Sequence, residues 1–367
     1  MGPISVLIKP ASGNCNLRCD YCFYYDAMAK RAHASYGYMS LDTLEAVIRG
    51  ALASAQKCCA FAFQGGEPTL CGLPFFEKAV ELEQKYNVNG VRIENALQTN
   101  GYAIDEAWAD FFVKNNFLVG VSLDGGPRQH DCYRKTPDGR GSFSRIMENV
   151  GLLQKKRVEF NILSVVNAQT APQIARNYRF YRKNGLDYLQ FIACLDPLGE
   201  KPGGRPYSLR PEVYGKFLIE LFDLWYEELK EGKQPYIRQF ENYIAILLGQ
   251  MPESCDMRGV CGKQYVVEAD GSVYPCDFYV LDDFRLGSFL DNTVEELDEA
   301  RARIGFVEAS RQREKTCAAC PYLEICRGGC RRTRLFDEGY HQYFCESYRM
   351  FFDARLGKLR EIAARIR

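Results

Sequence analysis

The chain has 367 residues, 47% of them hydrophobic, and its 47 Lys and Arg balance 47 Asp and Glu. That length allows one large core with a smaller appended unit. The zero formal charge gives no field for nucleic acid or an anionic membrane, and no apolar run approaches a membrane span.

The opening MGPISVLIKPASGNC has no basic n-region and no long apolar stretch, so it reads as an early strand ending at Pro10. Val6 argues against a myristoylation signal at Gly2. A cytoplasmic protein is expected, and its 16 cysteines then suit metal better than disulfides. The first cluster is NCNLRCDYCFY, with Cys15, Cys19 and Cys22 at C-x3-C-x2-C spacing. A structural zinc site closes with four ligands, so three cysteines form an incomplete or deliberately open site.

Strand-like runs follow in alternation with helical patterns: SVLIK, CAFAFQ, RIENALQT, LVGVSLD, VEFNILSVV and YLQFIACL. After Ser40, a candidate N-cap, Leu41, Leu44, Ile48, Ala51 and Ala55 recur on one helical face. Repeated strand–helix units of this kind predict an α/β fold, a parallel sheet covered by helices and curved into a full or partial barrel. Active sites of such barrels lie at the C-terminal strand ends. Gln64-Gly65-Gly66-Glu67-Pro68, Gln98-Thr99-Asn100-Gly101, Ser122-Leu123-Asp124-Gly125 and Cys194-Leu195-Asp196-Pro197 stand there. Singly each is an ordinary turn; together with the cysteine loop they favour a site. A helix from Pro211 through Leu229, with Phe217, Leu218, Leu221 and Trp225 on one face, is expected to close the barrel.

Beyond Ser254 the composition shifts to Cys and Gly: Cys255-x5-Cys261-x14-Cys276, then Cys317-x2-Cys320-x5-Cys326-x3-Cys330, then Cys345. Eight thiolates divide into two closed four-ligand sites that suit zinc or iron–sulfur clusters. The open N-terminal loop favours iron, because a cluster held by three cysteines leaves one iron free for an exogenous ligand. The scattered Cys58, Cys59, Cys71, Cys132 and Cys194 read as small buried hydrophobes.

The C-x3-C-x2-C loop, Tyr21 before its last cysteine, and GGEP after the second strand resemble the radical S-adenosylmethionine (SAM) enzymes. The eight-cysteine array looks like the SPASM domain, a module with two auxiliary clusters. FAFQGGEPTL, LQTNG, QFI-CLDP and VVE-DGSVYPCDFYVLD are similar to the anaerobic sulfatase-maturating enzymes. The resemblance implies a partial (β/α)6 TIM-type barrel over 1–235, a SPASM domain over 236–348 and a C-terminal helix over 349–367. It implies three 4Fe–4S clusters: one on Cys15, Cys19 and Cys22; one on Cys255, Cys261, Cys276 and Cys330; one on Cys317, Cys320, Cys326 and Cys345. Tyr21, Gly66, Ser122, Arg134 and Leu195 match the family's SAM contacts. Asp277 coincides with its proposed base, although a turn aspartate is the plainer reading of that residue alone. Burial among Tyr274, Phe278 and Tyr279 is expected to raise its pKa.

The implied activity is oxidation of an active-site cysteine or serine of a sulfatase to Cα-formylglycine. The implied substrate is a C/S-x-P-x-R segment, met by residues such as Gln64 and Tyr24. An electron donor such as ferredoxin or flavodoxin is implied, and a monomer is expected, with no nucleic-acid or membrane partner. Two other readings compete: a SPASM-type maturase that crosslinks a small precursor peptide, and a zinc-bound scaffold without activity.

Overall fold

The structure, a computed structural model, describes residues 2–366. It divides into two compact units, each discontinuous in sequence. The first comprises the chain up to Ser122 together with Asp131–Phe160 and Lys263–Phe306. The second comprises Leu123–His130, Asn161–Gly262 and the chain from Val307.

Six strands correspond to the runs expected: β1 (Ile4–Ile8), β2 (Cys58–Phe63), β3 (Arg92–Thr99), β4 (Leu118–Ser122), β5 (Phe160–Val166) and β6 (Tyr188–Ala193). In the first unit β1, β2, β3 and β4 are neighbours in that order, all parallel. In the second, β5, β6 and the short β7 (Tyr236–Ile237) are parallel neighbours. The helix Leu41–Ser54 is capped as expected, the Ser40 side chain accepting from the Thr43 amide at 3.1 Å. Its Leu44, Val47, Ile48, Ala51 and Leu52 are buried, but Leu41, placed on the same face by its spacing, is 49% exposed. It is the first residue of the helix, before the buried run that starts at Thr43.

The cysteine-rich segment also extends the first sheet. β8 (Tyr265–Val267) pairs in parallel with β1, Val6 opposite Tyr265, and continues antiparallel through β9 (Ser272–Tyr274) to β10 (Gly287–Ser288). Leu7, Val266, Tyr274 and Val280 form one core cluster under this junction. At three residues β8 and β9 are too short for an alternation signal. Their pairing delivers Cys276 and Asp277 into the unit that holds the N-terminal cysteine loop.

The helix Pro211–Lys230 buries Phe217, Leu218, Leu221 and Trp225, as its spacing predicts. In the second unit it packs against the C-terminal helix Cys345–Ile366, with Phe222 and Phe351 edge to face at 5.8 Å. Among the described residues no helix is long and apolar enough to cross a membrane.

Candidate active site

The loop after β1 holds its three thiols through local hydrogen bonds. Cys15 Sγ accepts from the Leu17 amide at 3.4 Å and from Asn100 Nδ2 at 3.6 Å. Cys19 lies opposite Arg134 in a two-residue antiparallel pairing, and Arg134 Nη1 reaches its sulfur at 3.9 Å. The Cys22 amide donates to the Cys19 carbonyl at 3.0 Å and the Tyr25 amide to the Cys22 carbonyl at 3.2 Å, while the nearby amides of Tyr24 and Tyr25 favour the Cys22 thiolate. Burial, then the Glu67 charge, pushes the Cys15 thiol up to about 11; burial also raises Cys22. Sulfurs that are buried yet surrounded by N–H donors suit an iron–sulfur cluster, whose charge draws the thiolate form.

Gly66 stands at φ +56°, and a Cβ there would come within 2.2 Å of the Asn14 carbonyl. The close approach this glycine permits is therefore to the cysteine loop itself. The next residue, Glu67, donates its amide to the same carbonyl at 2.8 Å. Its buried carboxylate accepts from Thr69 Oγ1, Thr99 Oγ1 and the Asn100 amide, each at 2.7 Å. Glu67 thus locks the ends of β2 and β3 to the loop, and Asn100 carries the connection on to Cys15.

The other residues matched to SAM contacts are placed as follows. Tyr21 is buried, edge to face with Tyr133 at 5.8 Å and under the Arg134 guanidinium at 5.5 Å. Ser122 ends β4 and accepts from Gln98 Nε2 at 3.2 Å. Leu195 follows β6 in the second unit, lining a cavity with Cys194, Asp196 and Arg332. Asp124 accepts from the Val165 amide of β5 at 2.8 Å, and Asp196 accepts within its own loop from the Gly203 amide at 3.1 Å.

Asp277 begins a short turn directly after Cys276 and is buried. Its Oδ2 accepts from the Tyr24 hydroxyl at 2.6 Å and Gln64 Nε2 at 3.2 Å. Oδ1 has no hydrogen-bond partner among the described residues and lies 3.9 Å from Lys9 Nζ. Lys9 is itself shared: its ammonium is 3.1 Å from Glu268 Oε1, which also takes Arg31 Nη1 at 2.7 Å, and stands 4.6 Å above the Tyr24 ring. Burial raises the Asp277 carboxyl pKa, opposed by Lys9 and the Tyr24 hydrogen bond. Burial also opposes ionisation of Glu268, but Lys9 and Arg31 outweigh it and hold its carboxyl below the usual range. Burial and the Asp277 charge keep the Tyr24 phenol well above its ordinary range, so it remains a donor.

In the second unit, Cys317, Cys320, Cys326 and Cys345 line one cavity. Cys330 groups instead with Cys255 and Cys261, and burial, with repulsion from those two sulfurs, pushes its thiol up to about 12. Among the described residues no three His, Cys, Asp or Glu side chains form a single-ion ligand set. Four thiols lining one cavity are a donor set of the kind that holds zinc or an iron–sulfur cluster.

The Radical SAM superfamily matches residues 10–180, and the SPASM iron–sulfur cluster-binding domain matches 255–321. A cysteine-type anaerobic sulfatase-maturating enzyme of Clostridium novyi is 45% identical over 99% of this chain and 98% of its own. The chain belongs to the anaerobic sulfatase-maturating enzymes. The solved structure of native anSMEcpe with bound AdoMet and Cp18Cys peptide superposes with a TM-score of 0.94 at 46% identity, covering 100% of both chains. A serine-type anaerobic sulfatase-maturating enzyme of Bacteroides thetaiotaomicron is 33% identical over 95% of this chain and 89% of its own. As a sulfatase-maturating enzyme the chain has the radical SAM partial-barrel α/β fold with a SPASM domain, and is an oxidoreductase that uses SAM and iron–sulfur chemistry.

Lys9, Arg31 and Glu268 were not legible as site residues. The available signal was slight: Lys9 ends the apolar run SVLIK and Glu268 ends YVVE, each a lone charge closing a buried strand. Such charges are placed there only with a partner.

Proposed function

We propose that this enzyme oxidises an active-site cysteine of a sulfatase to Cα-formylglycine, with Asp277 as the base. The 45% identity to a cysteine-type enzyme against 33% to a serine-type one supports cysteine over serine. Full-length similarity of this order leaves the crosslinking-maturase and zinc-scaffold readings without support.

The proposed clusters are three of the 4Fe–4S type. Cys15, Cys19 and Cys22 hold one; Cys255, Cys261, Cys276 and Cys330 a second; Cys317, Cys320, Cys326 and Cys345 a third. Tyr21, Gly66, Ser122, Arg134 and Leu195 are the proposed SAM contacts. We assign 1–235 to the barrel, 236–348 to the SPASM domain and 349–367 to the C-terminal helix. The proposed partners are a sulfatase segment of the form C/S-x-P-x-R and a donor such as ferredoxin or flavodoxin, for a cytoplasmic monomer.

When bound, SAM and the clusters supply removal of a hydrogen atom from the substrate Cβ and acceptance of one further electron. The remaining work belongs to Asp277. Its Oδ2 is held by Tyr24 and Gln64, which leaves Oδ1 to take the thiol proton. Lys9 keeps the carboxylate available, while burial raises its basicity toward that of a thiol, whose ordinary pKa is about 8.5. Loss of the hydrogen atom, the proton and the electron leaves a thioaldehyde, and water replaces its sulfur to give the aldehyde and hydrogen sulfide. The open Oδ1 of a buried carboxylate next to Cys276 is the observation that carries this reading.

Anaerobic incubation of the reconstituted enzyme with paired Cys- and Ser-containing sulfatase peptides, read by mass spectrometry, tests it. Conversion of the Cys peptide to the aldehyde is expected. Conversion of neither peptide, with SAM intact, would contradict it.

A further inference from the structure

Arg334 is 3% exposed, and its guanidinium lies among the cysteine-rich loops of the second unit. All its N–H groups are engaged, and each acceptor is a backbone carbonyl. Nε donates to Gly328 at 3.0 Å, Nη1 to Ser310 and Gln312 at 2.6 Å each, and Nη2 to Gly259 at 2.8 Å and Gly329 at 2.7 Å. Gly259 lies between Cys255 and Cys261, Gly328 and Gly329 lie between Cys326 and Cys330, and Ser310 and Gln312 lead toward Cys317. Ser310 Oγ also accepts from the Cys261 amide at 2.9 Å. One side chain therefore ties together three loops that carry cysteines of both groups. The loops leave no slack, since a Cβ on Gly259 would meet the Arg327 carbonyl at 2.1 Å.

Hydrogen bonds to neutral carbonyls satisfy the N–H groups of Arg334 but do not neutralise its charge. A guanidinium stays protonated at any physiological pH. Among the described residues Arg334 forms no ion pair with a carboxylate, and Arg313 adds a second positive charge nearby. Buried cations are costly without an anion, and carbonyl dipoles offset only part of that cost. The sulfurs of Cys330, Cys261 and Cys317 are near enough to act on its charge, and they belong to both proposed C-terminal ligand sets.

We propose that Arg334 is a positioning residue for the C-terminal iron–sulfur clusters, tying loops that carry their ligands together and holding among those loops a fixed positive charge that favours the clusters' reduced forms. The inference rests on the cluster ligands proposed above. A fixed cation near a cluster stabilises the added electron and raises the reduction potential. The enzyme needs its auxiliary clusters to accept an electron, so such a charge serves the oxidation.

The test compares Arg334→Gln and Arg334→Lys in the full chain carrying Cys15→Ala, Cys19→Ala and Cys22→Ala, so that only C-terminal clusters contribute. Iron content and an EPR-monitored redox titration are read after anaerobic reconstitution. The Gln variant is expected to bind less iron, with the midpoint of its remaining clusters shifted to more negative potential. The Lys variant is expected to keep the parent midpoint while still binding less iron, because three ammonium protons cannot serve five carbonyls. Should the Gln variant take up no iron, the Lys midpoint decides. A Lys midpoint equal to the parent's supports the proposal, and one displaced to more negative potential overturns it. Full iron and an unchanged midpoint in the Gln variant overturn this inference alone. Zinc in place of iron in the parent overturns the cluster reading with it.

Discussion

The Tyr24 hydroxyl donates to Asp277 Oδ2 at 2.6 Å across 253 residues of sequence. This bond fixes which carboxylate oxygen is occupied and which is open, and it ties Tyr24 to the proposed base as well as to the proposed recognition of substrate. Tyr24→Phe keeps the ring under Lys9 but removes the donor. Loss of one charge-assisted hydrogen bond is worth about 1.5 kcal/mol, so the rate of formylglycine formation should fall roughly 10-fold. SAM binding should be unchanged. Anaerobic kinetics with a Cys peptide check this, and a wild-type rate would remove Tyr24 from the proton step.

Gly66→Ala is expected to disturb the cysteine loop rather than SAM alone. Its Cβ would stand 2.2 Å from the Asn14 carbonyl, one residue before Cys15, at a φ of +56° that L residues rarely adopt. Strain of this kind costs roughly 1–3 kcal/mol. The variant should lose about a third of the iron, that of one cluster among three. Iron assay after reconstitution decides it, and full iron with weakened SAM binding would place the role of Gly66 at SAM instead.

Changing Cys15, Cys19 and Cys22 together to Ala should also remove about a third of roughly 12 irons and abolish SAM cleavage. Arg134→Ala should weaken SAM binding and leave the iron nearly complete, since its contact to the Cys19 sulfur is long at 3.9 Å. Equal iron loss in both variants would make Arg134 a support of the cluster loop.

A pH effect is expected away from the site. Glu83 on the helix Leu73–Tyr86 is buried, accepts from Asn95 Nδ2 at 2.8 Å through Oε2, and has no partner for Oε1 among the described residues. Burial pushes its pKa from 4.5 up to about 7. The unfolded chain therefore releases this proton first as pH rises, so the stabilising contribution present below about 4.5 is lost by about 7. The loss amounts to roughly 3 kcal/mol. Glu83→Gln should show a weaker fall in urea stability between these limits. Parallel pH profiles for the two proteins would show that the Glu83 carboxyl titrates normally.

Much of the fold was legible because each core strand carries its own signal. RIENALQT is β3 residue for residue, and the other runs differ from their strands by a few positions at the ends. The cysteine-rich runs were legible for the same reason, since their spacing is local, whereas placing Cys330 with Cys255 and Cys261 came from the family resemblance. The pairing of β8 to β1 and the Arg31–Glu268–Lys9–Asp277 chain were not. Their partners lie far apart along the chain, and a single buried charge in an apolar run does not name its counter-ion. Arg334 escaped similarly: its acceptors are carbonyls, which leave no trace in side-chain chemistry.

The most direct test of the account is formylglycine formation by Asp277→Asn, measured anaerobically by mass spectrometry beside iron content and SAM affinity. The substitution preserves shape and burial and removes the negative charge that can take a proton. Full iron, normal SAM binding and loss of most of the product are expected. Wild-type product yield from a fully iron-loaded Asp277→Asn enzyme would contradict it and place the base elsewhere.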